Sequence, residues 1–449
     1  MSPTGETEIR HPQRNRGLHT DAVNRIEVRC WAWPEETGVD VPEPGAPVAS
    51  GGRGHQLVGY LRPDEGPLDP VVAEVDGPAD TMRPVSRGVP AGPAGAEAIV
   101  ARLRRDGADL VWGEPVAIRS LAHLDAVSRA RGAVSPAIVR EDPGLLPWLQ
   151  VGSWFNAGWR VRAMRRALLT APPMRRALRA PGRSPAGLWR LRADAAFWAG
   201  VRRASSAAQW SRLTRSSYVV LNYHRLAGEA KPGQRQLDTS PARFHRQMRL
   251  LDRLGFRPMG SDEVEHFHRR ADATLDSRRY VITFDDGYRD NAAPLEAHVA
   301  NHPLLFVPTT ALGSTAHWLD GEPVLSWDEV RRLEAAGVEI GSHTRTHPHL
   351  PELGPERLAD EVGGSRQDLA ANLAHPVDVI AYPYGEHDGA ARRTAADAGY
   401  VLGYTTKPGR NGAGTHPLCL RRIGVWADDG PLRFVWKIVT AEHAPGQAR

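Results

Sequence analysis

The residues RYVITFDDG, 279–287, place a run of four apolar or β-prone side chains, 281–284, directly before two adjacent aspartates, Asp285 and Asp286, and a glycine. A short apolar run ended by polar turn residues reads as a buried strand that delivers its last side chains to one end of a sheet. Outward from it the same pattern recurs as SYVVLNYH (217–224), LLFVPTT (304–310), VEIGSH (338–343), VDVIAYPYG (377–385) and VLGYTT (401–406). Helical patterns separate these strands. PARFHRQMRLLDRLGF (241–256) is amphipathic and can be capped by Ser240, and SWDEVRRLEAAG (326–337) opens on a capping box, Ser326 with Glu329, and ends at Gly337. Further helical stretches are expected at 292–301, from Pro355 onward, and up to Gly399. Strands alternating with helices mean repeated βα units around a parallel sheet, an α/β fold. About seven strands in ~220 residues predict a closed or nearly closed barrel over 216–440, with its chemistry at the strand ends.

The rest of the chain reads differently. Its 449 residues set a prior of about three domains. Gly 44 and Pro 37 together make about 18 %, above the usual ~12 % but short of a low-complexity chain. Two cysteines, Cys30 and Cys419, exclude a disulfide framework and a cysteine-built metal cluster. No run of about 18 apolar residues is present, and the start, MSPTGETEIRHPQRNRG, has no apolar core after its charges. The expectation is a cytoplasmic protein without a signal peptide or spanning helix. Residues 1–142 are expected to form a separate small N-terminal domain of unknown function and α/β content. Pro/Gly-rich loops are expected near 34–54 and 76–95, a β-prone segment at 55–61, and a helix at 97–107. ADLVW (108–112) follows, then a second helix from Arg119 to Gly132.

Residues 143–215 read as a basic helical connector rich in tryptophan and arginine. They hold Trp148, Trp154, Trp159, Trp189, Trp198 and Trp210, six of the 13 tryptophans. Between Gly158 and Arg215 fourteen arginines face one acid, Asp194, so this stretch carries +13 of a net +5 and the remainder is −8. Only three of the 57 basic residues are lysines, so arginine runs carry less functional meaning here than elsewhere. Two readings fit: an interfacial helix on an anionic membrane, or a linker that packs its tryptophans on the next domain and leaves its arginines solvated. Nucleic acid is not an expected partner, since no nucleic-acid-binding motif accompanies the charge.

At the predicted barrel mouth, adjacent carboxylates repel unless something positive lies between them. His343 and His347, spaced i, i+4, can face one ion from a turn of helix. One carboxylate and two imidazoles make a three-ligand divalent site with positions left open, the arrangement of a catalytic metal. NYH, TFDDGY, SHTRTHPHL and YPYG, in this order, resemble the polysaccharide deacetylases of carbohydrate esterase family four over about residues 216–430. The resemblance implies a distorted seven-stranded (β/α) barrel that removes acetyl groups from sugars with a divalent metal, usually zinc. It implies Asp286, His343 and His347 as metal ligands, Asp285 as general base, and the backbone N–H of Tyr384 as an oxyanion donor.

Two positions depart from the family pattern. Ala381 stands where an arginine often braces the base, and the late Leu-x-His motif aligns with Leu420-Arg421-Arg422, which removes the usual general acid. His416 is the nearest late histidine, and His224 in NYH ends the first strand and points into the same mouth. Trp318 and Trp327 could stack on a sugar, with core packing the commoner role. The expected function is N-deacetylation of a glycan, a bacterial surface polysaccharide or its lipid-linked precursor. The alternatives are a deacylase of a small amide and a degenerate glycan-binding barrel.

Overall fold

The computed structural model describes residues 26–30, 55–60, 70–76, 110–113, 121–171, 186–228, 237–319 and 321–442. Four strands precede the helical region: β1 Ile26–Cys30, β2 His55–Tyr60, β3 Pro70–Asp76 and β4 Leu110–Gly113. They form one sheet in the order β2-β3-β1-β4, antiparallel except for the parallel β1–β4 pair. The expected 34–54 loop and the 97–107 helix lie outside the described residues, as does most of the 76–95 stretch.

Helix α1 runs from Leu121 to Glu141, nine residues past the expected stop at Gly132. The glycine is a packing contact rather than a terminator. A Cβ on Gly132 would lie 2.0 Å from the Phe197 carbonyl, and one on Gly200 would lie 2.2 Å from the Arg129 carbonyl. The two glycines let α1 and helix α3 (Ala186–Ala204) cross backbone against backbone. Helices α2 (Trp159–Thr170) and α4 (Ala207–Thr214) complete this helical unit.

Two of its tryptophans point inward. Trp154 and Trp198 are fully buried, edge to face at 4.7 Å, and share one core with Tyr218, Val220, Leu304, Phe306, Ala381, Leu402 and Tyr404 of the barrel. Several arginines are part of this packing instead of being solvated. Arg165 holds Asp194 through two 2.8 Å bonds, with its guanidinium over the Trp154 and Trp198 rings. Arg212 donates to the carbonyls of Phe267 and Ala273. An arginine fork satisfied by carbonyls or a carboxylate can be buried where a lone charge could not. Trp189's side chain is outside what is described.

The second sheet holds β5 (Ser217–Tyr223), β6 (Arg257–Pro258), β7 (Arg279–Phe284), β8 (Pro303–Val307), β9 (Glu339–Ser342), β10 (Val379–Ala381), β11 (Leu402–Tyr404), β12 (Asn411–Gly412) and β13 (Ile423–Gly424). Strands β5-β7-β8-β9-β10-β11 are neighbours and all parallel. The segment 420–424 closes the ring: Leu420 bridges Tyr404 of β11, and β13 pairs with β5, both in parallel. The result is a seven-staved (β/α) barrel whose last stave is short and irregular. Alternate residues serve its two faces. Val220, Leu304 and Phe306 belong to the inner core, and Val219, Leu221, Leu305 and Val307 pack with the helices outside.

Those helices are α5 (Pro241–Arg253), α6 (Ser261–Arg269), α7 (Trp327–Ala336), α8 (Ser365–Asn372), α9 (Gly389–Asp397) and α10 (Pro431–Thr440). Ser240 caps α5, Ser326 and Glu329 form the reciprocal box at α7, and Gly337 ends α7 at φ 100°. No described helix is long and apolar enough to cross a membrane.

Candidate active site

The C-terminal ends of the strands converge on one buried cluster. Asp286 Oδ1 lies 3.7 Å from His343 Nε2 and 3.4 Å from His347 Nε2. One donor atom from each of the three residues falls within a 4.8 Å span, and all three are buried. Donors ~2.0–2.2 Å from a common tetrahedral ion would stand roughly 3.4 Å apart, so the donor set and its spacing fit a divalent metal of zinc type. His343 Nδ1 is 2.8 Å from the Ala381 carbonyl. That bond places the proton on Nδ1 and leaves Nε2 as the free donor, the usual arrangement of a metal-binding imidazole. Trp318 stacks on His347 with ring centroids 4.8 Å apart, and its indole N–H donates to Asp286 Oδ1 at 3.2 Å.

The two histidines do not sit on a turn of helix. His343 directly follows β9, with its N–H on the Val307 carbonyl, and an irregular loop carries His347 back toward it. Thr344 and His347 are both left-handed, at φ 65° and 60°. Amides in such a loop need acceptors that a helix would have supplied. Glu361, fully buried, provides them: it accepts from the N–H groups of Arg345 and Thr346 at 3.0 and 2.9 Å and from the Thr346 hydroxyl at 2.6 Å. Glu361 stands in a π-turn, 360–364, inside the helical stretch that begins at Pro355.

Asp286 at φ 69° and Tyr384 at φ 58° bring the left-handed non-glycine residues of this mouth to four, of six among the described residues. Each costs of order 1–3 kcal/mol, and such strain collects where a fixed side-chain geometry is needed. Gly385, at φ 73°, ends the YPYG turn; a Cβ there would lie 2.1 Å from Thr406 Oγ1. Tyr384 itself is 46 % exposed at the rim, stacked on His349 with ring centroids 4.0 Å apart and edge-on to His347.

Asp285 is gripped from both sides. Arg422 Nη1 donates to its Oδ1 at 2.7 Å, and Asn222 Nδ2 to its Oδ2 at 3.2 Å. Arg422 is fully buried and is held in turn by the Thr405 carbonyl at 2.8 Å and Asn222 Oδ1 at 3.0 Å. Burial alone would raise the Asp285 carboxyl, but the Arg422 guanidinium, then the fields of the His343 and His224 rings, hold it well below the usual carboxylate range. Burial wins at Asp286, which is raised. His347 is pushed down to about 2, first by burial and then by the neighbouring His343. The two adjacent carboxylates are thus driven apart in proton affinity, a pattern associated with functional sites.

Arg422 is the residue that sequence reading missed in this role. It comes from the closing stave, 137 residues from its partner, and no local pattern marks that pairing. Aligned on the motif it counts only as a lost histidine. His224 follows β5, and its field reaches Asp285, Asp286 and His347. Its Nδ1 is buried with no hydrogen-bond partner. His416 is placed elsewhere: its Nδ1 accepts from the Leu418 amide, its ring packs edge-on to Trp148 at 5.5 Å, and burial pushes it down to about 4. Trp327 packs beside the outer core at the start of α7.

Residues 272–403 match the family model of polysaccharide deacetylase. Over these residues the chain matches the polysaccharide deacetylase family. The putative polysaccharide deacetylase YxkH of Bacillus subtilis is 26 % identical over 210 residues, which cover 46 % of this chain and 70 % of that protein. Among solved structures, the Streptococcus pyogenes deacetylase PplD in complex with acetate is 22 % identical, covering 50 % of this chain and 99 % of its own, with a TM-score of 0.44. IcaB from Ammonifex degensii is 24 % identical over 50 % of this chain and 97 % of its own, also with a TM-score of 0.44. The deacetylase match takes in Asp285, Asp286, His343, His347 and Tyr384 and leaves out His224 and Arg422, whose place at the mouth comes from the barrel's first and last staves.

Proposed function

We propose that the chain hydrolyses N-acetyl groups from the sugar residues of a glycan, a bacterial surface polysaccharide or its precursor, with a divalent metal held by Asp286, His343 and His347. The observation that carries this reading is the pairing of that buried three-donor cluster with Asp285, an adjacent carboxylate kept ionised by Arg422. Zinc suits the two-imidazole, one-carboxylate set, and when bound it would polarise the acyl carbonyl and acidify water at the site.

The chain's own groups divide the remaining work. Asp285, with both oxygens fixed, takes a proton from the attacking water as general base. His224, whose field reaches both carboxylates and whose buried Nδ1 has no hydrogen-bond partner, delivers a proton to the departing amine as the C–N bond breaks. Acetate and a free amino sugar result. The Tyr384 amide, set in its left-handed turn, donates to the developing oxyanion. The aromatic rim of Tyr384 and Trp318 offers apolar faces of the kind that pack on a sugar ring.

The absence of the family's bracing arginine and acid histidine leaves a degenerate, binding-only barrel as the alternative. The 2.7 Å Arg422–Asp285 contact, which supplies a cationic partner for the base, supports an active enzyme, with His224 as the candidate acid. The test is acetate release from N-acetylglucosamine oligomers by wild type and Asp285→Asn. A loss of about 10²-fold or more is expected, and unchanged release removes the base assignment.

A further inference from the structure

Five of the seven large apolar side chains exposed among the described residues lie on two adjoining helices: Trp159, Val161 and Met164 on α2, and Leu432 and Val439 on α10. Helix α10 is apolar on two sides. Phe434 and Ile438 enter the outer barrel core. Leu432, Val435, Trp436 and Val439 follow one another at i, i+3, i+4 and i+7, with the first 88 % and the last 65 % exposed. An apolar stripe left exposed beside a covered one marks a surface for a further partner.

Helix α2 is inverted: its buried positions are Arg162, Arg165 and Leu168, while Trp159, Val161 and Met164 face out among exposed Arg160 and Arg166. The two helices meet at their ends. Arg162 Nη2 donates to the Thr440 carbonyl at 3.4 Å, and a Cβ on Gly158 would lie 3.1 Å from Glu442 Oε1.

We propose that this face docks the protein on an anionic lipid bilayer, lying on the surface and not crossing it. Charge selects the occupant. Helix α2 exposes two arginines, Arg160 and Arg166, and no acid, while its Arg162 and Arg165 are buried, Arg165 on Asp194. A second copy docked through α2 would set these charges against themselves. A neutral apolar partner would leave them uncompensated, whereas anionic headgroups answer both the arginines and the apolar side chains between them. Trp159, with the Arg160 guanidinium 5.6 Å from its ring centre, is an amphipathic side chain suited to headgroup depth. The face differs from the one the sequence suggested, since Trp154 and Trp198 are consumed by the core. It does not depend on the deacetylase reading.

The experiment is co-sedimentation of the full chain with phosphatidylcholine vesicles, with and without phosphatidylglycerol. Binding to the anionic vesicles is expected to be at least about tenfold stronger and to weaken with salt. The double variant Leu432→Glu, Val439→Glu should lose about tenfold or more of that binding, with melting temperature and acetate release unchanged. Equal binding to both vesicle types, no binding, or a variant that binds as wild type overturns the proposal. A dimer in light scattering that the double variant dissolves assigns the face to a second copy and also overturns it.

Discussion

Replacing Arg422 by glutamine tests the least conventional part of the site. The guanidinium is fully buried and ties Asp285 to Asn222 and Thr283 through one nitrogen, at 2.7, 3.0 and 3.3 Å, and to the Thr405 carbonyl through another. Removing one partner of a buried ion pair leaves the other charge uncompensated, at a cost of about 3–5 kcal/mol. The same change withdraws an opposite charge that lowers a neighbouring carboxyl by roughly 1–3 pKa units. Asp285 has a folded-state pKa below its unfolded value, so its stabilising effect is present above the ordinary carboxylate pKa and is lost as pH falls through the lowered one. In Arg422→Gln that loss moves to higher pH. The acid limb of kcat/KM for acetate release should rise by about 1–3 pH units, alongside a lower Tm. A purely structural arginine would lower Tm and leave the limb in place. An unchanged limb in a folded variant therefore refutes the assignment of Arg422 as the residue that keeps the base ionised.

Other perturbations give separate readouts. Glu361→Gln should weaken metal affinity about 10–100-fold by loosening the 344–347 loop, measured by competition with a chelating dye. His224→Gln should retain metal and lower kcat by about 10²-fold or more, seen by pairing metal analysis with acetate release. Trp198→Ala should destabilise by about 3–5 kcal/mol in denaturant unfolding, since it opens the core shared by the helical unit and the barrel. His268, 2.9 Å from the Tyr218 hydroxyl, is pushed down to about 3, first by burial and then by the Arg212 charge. Its folded state disfavours the proton, so stability should fall as pH drops from ~6.5 toward 3, and His268→Gln should flatten that fall in pH-dependent melts.

The parts of the molecule that could be read from sequence are those fixed by local physics. Strand runs such as 217–224 and 279–287, the cap at Ser240 and the box at Ser326 depend on side chains a few residues apart, and they stand where expected. The i, i+4 spacing drew attention to His343 and His347, but the loop that brings them together is held by Glu361 from a later turn. Arg422 was beyond reach for the same reason, because only barrel closure between β13 and β5 sets it beside Asp285. Gly132 misled in the other direction: a glycine that usually ends a helix here admits a neighbouring backbone. The tryptophan–arginine segment carried a composition that fits both a membrane and a core. What decides each ring is the tertiary partner: Trp154 and Trp198 have one another and the barrel, and Trp159 remains outside.

The central claim is a metal-dependent deacetylase site built on Asp286, His343 and His347. Metal content and acetate release, measured on one full-length preparation as purified, after chelation and after zinc is restored, test it most directly. About one divalent ion per chain, with activity lost on chelation and regained with zinc, is the predicted result. Acetate release that survives complete removal of the metal would contradict it.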